Sequence, residues 1–270
     1  MTKPIRLTPS YREKVWGKTR LSPWHPDSAT PIGEVWYLGP EPLPILVKML
    51  FTSERLSVQV HPADGEDGPH GKTEMWHVLE AEPGAAVALG FREAITRERL
   101  IESCRTGEIE QLVQWTPVKP GDTIFNAAHS VHAIGAGVVF FEIQQNSDIT
   151  YRLWDYGRGR EMHIEKGAAV ADLGVHQGLS RPKPLARNRW ELARCPYFVT
   201  ELVHLEAAQR VDAAPRNCQM WLVVSGHGTI GAEAFSPGQV WLLPHAGPPP
   251  EIKAETPARL LRTYVPEPSR

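Results

Sequence analysis

Proline and glycine run through this chain from end to end, 25 Pro and 22 Gly among 270 residues. They cut it into segments too short for a bundle of long helices. Such punctuation between short apolar runs favours a β-rich sandwich or barrel. The runs that read as strands are Ile45–Phe51, Leu56–Val60, Met75–Leu79, Ala86–Leu89, Asp122–Phe125, Val138–Gln144, Trp221–Val224 and Val240–Leu243. Arg92–Val113 is different. It has no proline and sets Ile95, Leu100, Ile101, Ile109, Leu112 and Val113 among charges, which predicts one or two amphipathic helices broken near Thr106-Gly107. A second helix is expected over Ile164–Leu173.

Ser180–Ala186 (SRPKPLA) is poor in apolar residues and reads as a linker between two units, 1–180 and 187–270. A short internal echo fits two units. Glu74–Leu79 (EMWHVL), followed by Val118–Asp122 (VKPGD), is matched by Gln219–Gly226 (QMWLVVSG), followed by Phe235–Gln239 (FSPGQ). In both, a strand led by Trp precedes a Pro-Gly turn, the arrangement a small jelly-roll barrel needs.

Composition bounds the function. Hydrophobic residues make up 41% and charged residues 22%, within the soluble globular range. A net charge of −2 gives no electrostatic footprint for nucleic acid or an acidic membrane. The start, MTKPIRLTPSYREKVWGKTR, has no apolar core of a secretory signal, and no run nears the ~20 residues of a membrane span. Cys104, Cys195 and Cys218 are odd in number and scattered, against a disulfide framework or a thiolate zinc site. A reducing cytoplasm is the expected setting.

The chemistry-bearing residues lie in the first unit. Gln59 and His61 are two apart in LSVQVHP, and in a strand i and i+2 share a face. Leu56, Val58 and Val60 alternate with them and are expected on the opposite, apolar face. Glu74 opens the next strand-like run, and His132 follows a Gly-Asp turn and an apolar strand, so both can return to the same barrel mouth. Two imidazoles, a carboxylate and an amide make a mixed nitrogen and oxygen site. Zinc suits it, and nickel, cobalt, manganese and iron compete. A thiolate-free set with an open position is more typical of a catalytic than a structural metal. A QxH pair is equally compatible with ordinary strand residues. His77 is expected to face away from Glu74, in a hydrogen-bonding core role; His129 lies in the turn before His132.

At this point the sequence resembles the type I mannose-6-phosphate isomerases of the cupin superfamily. The resemblance runs over Glu13–Lys166. It is carried by Glu13–Gly17 (EKVWG), Pro31–Trp36 (PIGEVW), Leu56–Pro62 (LSVQVHP), Gly71–Trp76 (GKTEMW), Val131–Gly135 (VHAIG), Gln144–Arg152 (QQNSDITYR) and Glu161–Lys166 (EMHIEK). It implies two cupin-like jelly-roll β-barrels with a small helical segment: a catalytic unit over 1–180 and a degenerate unit over 187–270. By resemblance, Gln59, His61, Glu74 and His132 take the zinc-ligand positions. The implied activity is interconversion of mannose 6-phosphate and fructose 6-phosphate through an enediolate. The resemblance also points to Lys72, Arg152 and Asp148 as catalytic residues. Lys72 is two before Glu74, hence on its face if the strand extends that far, where it would neutralise the enediolate or bind phosphate. Arg152 offers a bidentate fork for phosphate or sugar oxygens. Asp148 is expected to orient Arg152 or take part in proton transfer. Lys48, in Pro44–Leu50, matches a family lysine. A small-molecule sugar phosphate is the expected partner, with the chain a monomer or homodimer.

Two departures bear on this reading. The family reaches its last histidine through Pro-Ala-Gly-Thr, whereas this chain has Ala127-Ala128-His129-Ser130. Loss of that Pro and Gly alters the expected turn, which keeps open a catalytically silent sugar-phosphate-binding cupin, alongside an isomerase of a related sugar phosphate. Aligning the two units places Gln219 at the Glu74 position and Pro249 at the His132 position. One metal per chain is therefore expected, with His204, His227 and His245 ordinary residues.

Overall fold

The computed structural model describes residues 3–212, 219–244 and 250–267. The first part of the chain forms β1 (Ile5–Arg6), β2 (Thr8–Lys18), β3 (Ile32–Leu38), β4 (Ile45–Phe51), β5 (Val58–Val60), β6 (Glu74–Ala81), β7 (Ala86–Phe91), α1 (Arg97–Thr106), α2 (Ile109–Leu112), β8 (Val113–Pro117), β9 (Thr123–Asn126), β10 (His132–Ile134), β11 (Val138–Gln145), β12 (Tyr151–Trp154) and α3 (Ile164–Val170). The rest is β: β13 (Lys183–Ala186), β14 (Arg189–Arg194), β15 (Val199–Leu205), β16 (Arg210–Asp212), β17 (Gln219–Ser225), β18 (Gly228–Ile230), β19 (Glu233–Phe235), β20 (Val240–Leu243), β21 (Glu251–Ala254) and β22 (Ala258–Tyr264).

These strands form four sheets, in the orders β12-β5-β10-β7-β8, β2-β3-β4-β11-β6-β9, β1-β20-β17-β22-β15-β14-β13 and β16-β21-β18-β19. None of the described ladders closes on itself, so the jelly rolls are sandwiches of paired sheets rather than continuous barrels. Four apolar clusters stack them in layers. Val58, Val60 and Phe91 of the five-stranded sheet pack on Leu100, Cys104, Ile109 and Ala168 of the helices. The other face of that sheet, through Val87, Leu89 and Ile134, meets Leu50, Trp76 and Phe140 of the six-stranded sheet. The far face of the six-stranded sheet meets the seven-stranded one through Val47, Met49, Phe141, Ile143, Leu222 and Leu261. Trp221, Val223 and Leu260 then meet Ile230 and Ile252 of the last sheet.

The six-stranded sheet is thus covered on both faces, which explains why every residue of β4 and β11 is buried. On β11, Val139, Phe141 and Ile143 face the seven-stranded sheet, and Val138 and Phe140 face the five-stranded one. Alternation places Glu142 and Gln144 on the Phe140 face. Charge there is exceptional, since burying an unpaired carboxylate is costly.

The helices form where the Arg92–Val113 pattern predicts them. Thr96 caps α1 by accepting from Arg99 N–H at 3.1 Å, and Gly107 ends it at φ 84°. No helix among the described residues is long and apolar enough to cross a membrane. Two local expectations change. Leu56 lies before β5 begins and joins the inner cluster with Trp76 instead of sharing the face of Val58 and Val60. Within the expected linker, Lys183–Ala186 forms an exposed edge strand paired with β14.

The echo between the halves has a counterpart in the pairing. β6 lies between β11 and β9 as β17 lies between β22 and β20, with Trp76 opposite Ile124 and Trp221 opposite Trp241. Gly121 and Gly238 of the two Pro-Gly turns both have positive φ, 92° and 80°.

A buried hydrogen-bond chain ties the halves together. Tyr37 O–H donates to the Gly238 carbonyl at 2.5 Å, so its oxygen accepts from His25 Nε2–H at 2.9 Å. His25 Nδ1 then accepts from Tyr11 O–H at 3.1 Å, which fixes a neutral imidazole. Burial holds His25 at about 4, below its ordinary 6.5. A depressed histidine contributes stability that is fully present above pH 6.5 and lost as pH falls towards 4. The stability gap between the parent protein and His25→Gln is therefore expected to narrow by about 2–3 kcal/mol from pH 7 to pH 4. Urea unfolding at several pH values measures it; a constant gap would contradict the assignment.

Candidate metal centre

The facing inner surfaces of the two sandwiched sheets supply different halves of the site. On the five-stranded sheet, His132 of β10 and Arg152 of β12 flank Gln59 of β5 as direct cross-strand partners. Val58 and Val60 point to the helices, so Gln59 points inward, and His61 follows two residues on. On the six-stranded sheet, Glu74 pairs with Gln144 and Asn126, and Glu142 pairs with Lys48.

These elements bring His61, Glu74 and His132 together, with one candidate ligand atom from each all within 4.8 Å of one another. Glu74 Oε2 is 3.6 Å from His61 Nε2, and Glu74 Oε1 is 3.4 Å from His132 Nε2. Each imidazole is oriented through its other nitrogen. His61 Nδ1–H donates to the Ile149 carbonyl and His132 Nδ1–H to the Ser130 carbonyl, both at 2.9 Å. That leaves both Nε2 lone pairs facing the carboxylate, the arrangement of outer hydrogen bonds typical of metal-ligating histidines. The Gln59 carboxamide lies alongside, its Nε2 3.2 Å from His132 Nε2.

The electrostatics agree. His61 Nε2 and both Glu74 oxygens are buried without a hydrogen-bond partner. Burial, with Lys72 and His132 nearby, holds His61 well below the ordinary imidazole value, and burial brings His132 down to about 3. Both are therefore neutral, the form that binds metal. Burial, with Glu142 nearby, pushes Glu74 up to about 7 against the pull of Lys72 and Lys48. A carboxylate under-compensated to that degree, beside the unpartnered His61 Nε2 and with His132 Nε2 turned towards it, is suited to a divalent cation.

Next to this cluster opens a cavity of about 240 Å³, lined among others by Ser57, Gln59, Lys48, Lys72, Glu142, Asp148, Arg152 and Arg160. Lys72 lies before β6 begins, in the loop, yet its Nζ reaches Glu74 Oε2 at 3.4 Å. Lys48 Nζ is buried 3.3 Å from Glu142 Oε1. Asp148 is 71% exposed at the side chain and lies 3.9 Å from Lys48 Nζ, so the structure sets it beside Lys48 rather than orienting Arg152. Arg152 Nη1–H donates to the Glu161 carbonyl at 2.7 Å, and its Nε has no partner. Arg160 is instead held by both oxygens of Asp155.

Sequence reasoning did not single out Glu142 or Ser57. Glu142 was detectable as the one ionisable residue in the otherwise uncharged run VVFFEIQQ. Ser57, two before Gln59, shares its face and donates to Gln59 Oε1 at 3.3 Å. His77 takes the expected core role, paired with Thr123 Oγ1 at 3.0 Å.

The turn before His132 is held by specific contacts. His129 adopts φ 74°, the left-handed region that favours glycine. Its N–H donates to the His61 carbonyl at 2.8 Å, its ring Nε2 meets Glu66 Oε2 at 2.8 Å, and its carbonyl accepts from Asp172 N–H at 2.8 Å. These contacts offset a backbone cost on the order of 1 kcal/mol.

In the second unit the corresponding register positions hold a different set. Glu201, Arg262 and Trp221 stand where Lys48, Glu142 and Trp76 stand in the first, and Gln219 stands where Glu74 does. The Gln219 oxygen accepts from Arg262 Nε at 2.8 Å and Trp221 Nε1 at 3.2 Å. Pro249, His245 and Cys218 lie outside the described residues. Among the described residues, His61, Glu74 and His132 are the one cluster suited to a metal.

Layered antiparallel sheets with a buried His-Glu-His set inside one sandwich define a cupin-like fold with a candidate metal site. No family model matches the chain. It is 32% identical over 218 residues to mannose-6-phosphate isomerase ManA of Bacillus subtilis, covering 64% of this chain and 69% of that protein. It is 28% identical over 288 aligned positions to mannose-6-phosphate isomerase of Streptococcus mutans, covering 87% and 90%. In fold it is similar to the crystal structure of the Bacillus subtilis mannose 6-phosphate isomerase, with a TM-score of 0.87 at 24% identity over 98% of this chain and 100% of that one. The chain belongs to the mannose-6-phosphate isomerase family.

Proposed function

We propose that this protein is a metal-dependent aldose–ketose isomerase that interconverts mannose 6-phosphate and fructose 6-phosphate through an enediolate. The observation that carries the reading is the convergence of His61, Glu74 and His132, with His61 Nε2 and both Glu74 oxygens buried without a hydrogen bond, beside a cavity lined with cations. Gln59 is the fourth ligand in this reading, since a half-turn of its carboxamide presents the oxygen in place of the nitrogen. Zinc is the proposed ion, one per chain. When bound it supplies a Lewis acid for the sugar oxygens.

The chain's own residues account for the rest. The buried lysines Lys48 and Lys72 are matched by the buried glutamates Glu74 and Glu142. A divalent ion would leave this interior positive, which suits a dianionic sugar phosphate. Arg152, whose guanidinium meets a backbone carbonyl, is the natural fork for the phosphate or a sugar oxygen. Lys72 neutralises oxygen charge that develops on the enediolate. Asp148, the solvent-reached carboxylate beside Lys48, exchanges protons with water. We further propose a catalytic unit over 1–180 and a structural one over 187–270, acting as a monomer or homodimer in the cytoplasm. β1 crosses that division by pairing with β20. The alternative reading, a silent sugar-phosphate-binding protein, is motivated by the altered turn before His132, which His129 occupies at positive φ.

A coupled assay from fructose 6-phosphate, run across a panel of aldose and ketose phosphates on protein of measured metal content, tests the reading. Turnover of the mannose and fructose pair ahead of its neighbours is expected. Saturable sugar binding with full metal and no turnover would sink it.

A further inference from the structure

The Pro31–Trp36 motif has no role in the metal cluster, yet its last residue stands directly behind the cavity. Trp36 on β3 is the cross-strand partner of Lys48 on β4, and Lys48 is the partner of Glu142 on β11. Cross-strand partners share a face, so indole, ammonium and carboxylate lie in one row across three strands. Lys48 Nζ is 4.5 Å from the Trp36 ring centroid and 3.3 Å from Glu142 Oε1. Lys48 lines the cavity, whereas the half-buried indole supports it from outside that lining. The ring is itself fixed, because Trp36 Nε1–H donates to Glu34 Oε2 at 2.8 Å.

We propose that Trp36 is a positioning residue for the isomerase reaction: its ring face and Glu142 together hold the Lys48 ammonium aimed at the bound sugar phosphate. The proposal rests on the isomerase reading above. A lysine has four rotatable carbons and three donors, so its pair with Glu142 and its longer contact with the exposed Asp148, at 3.9 Å, leave its head able to swing. Glu142 pulls the ammonium along the sheet, and the electron-rich indole face gives it a second attractive wall without adding another formal charge. Cation–π attraction is strongest where water is excluded, and Lys48 is only 2% exposed. A leucine at position 36 fills much of the space and offers no such attraction.

The test compares Trp36→Leu and Trp36→Phe in the metal-loaded enzyme, each in the parent and in a Lys48→Met background. Trp36→Leu is expected to lower kcat about tenfold, with KM within about twofold and metal content unchanged. Trp36→Phe, which keeps a ring face, should recover most of that loss. In the Lys48→Met background, already slow, Trp36→Leu should cost nothing further. Arg12→Ala removes the exposed cation 5.1 Å from the same ring and should leave kcat unchanged. Equal losses for Leu in both backgrounds, or equal impairment by Phe and Leu, would overturn the positioning role while leaving the isomerase reading standing. Absence of turnover in the fully loaded parent would overturn both.

Discussion

His132→Ala is expected to lose metal and isomerase turnover together, with kcat/KM reduced by at least about a thousandfold, several kcal/mol of transition-state stabilisation. The reason is geometric. His132 is the cross-strand partner of Gln59, its Nε2 lies 3.4 Å from Glu74 Oε1, and its ring stands edge-on to Trp76 with centroids 5.4 Å apart. Alanine removes a nitrogen donor whose direction the Ser130 carbonyl fixes, and it opens a void against Trp76. Neither His61 nor Glu74 can move to compensate, because both side chains are buried in packed surroundings. Elemental analysis of protein purified without added metal, with titration against a chelator, reads the loss directly. Stoichiometric tight metal in His132→Ala would remove this residue from the ligand set. Chelator treatment of the parent should mimic the variant, and adding metal back should rescue the parent alone.

Much of this site is legible in the sequence, and the limits have physical causes. The i, i+2 spacing of Gln59 and His61 leads both to the site although His61 lies one residue past β5, whose end residues Val58 and Val60 face the helices. Long apolar runs such as β4 and β11 were readable because sheets cover both their faces. β2 is hard to read because TPSYREKVWGK carries edge-strand charges that blur any alternation. Leu56 was misplaced because alternation holds only inside a strand, and β5 starts two residues later. Asp148, expected from the resemblance to orient Arg152 or to take part in proton transfer, stands beside Lys48 instead of Arg152. The separation of four residues between Asp148 and Arg152 means contact on a helix, and here the chain runs through a loop into β12. The turn before His132 is the subtler case. Sequence reported the loss of Pro and Gly, whereas the three contacts that hold His129 at positive φ come from residues far away in the chain, including Glu66 and Asp172.

Arg152→Ala is expected to keep the metal and the fold and to lose about 10²–10³-fold in kcat/KM, roughly 3–4 kcal/mol. Arg152 shares a strand register with Gln59 but sits on the far side of it from His132, so it lines the cavity without reaching the ligand cluster. Its partner is a neutral backbone oxygen, Glu161 O, whereas Arg160 nearby is committed to Asp155 and both buried lysines to glutamates. Arg152 can thus pair with an incoming anion without first breaking an ion pair, and desolvation inside the cavity strengthens that contact. Truncation removes few packing contacts, so the unfolding midpoint should move little. Arg152→Lys should recover charge but not the planar fork, leaving most of the defect in place. Weaker competitive inhibition by inorganic phosphate in both variants would assign the guanidinium to the phosphate; unchanged inhibition alongside lost turnover would assign it to the sugar oxygens. Wild-type kcat/KM in Arg152→Ala would take the residue out of the reaction altogether.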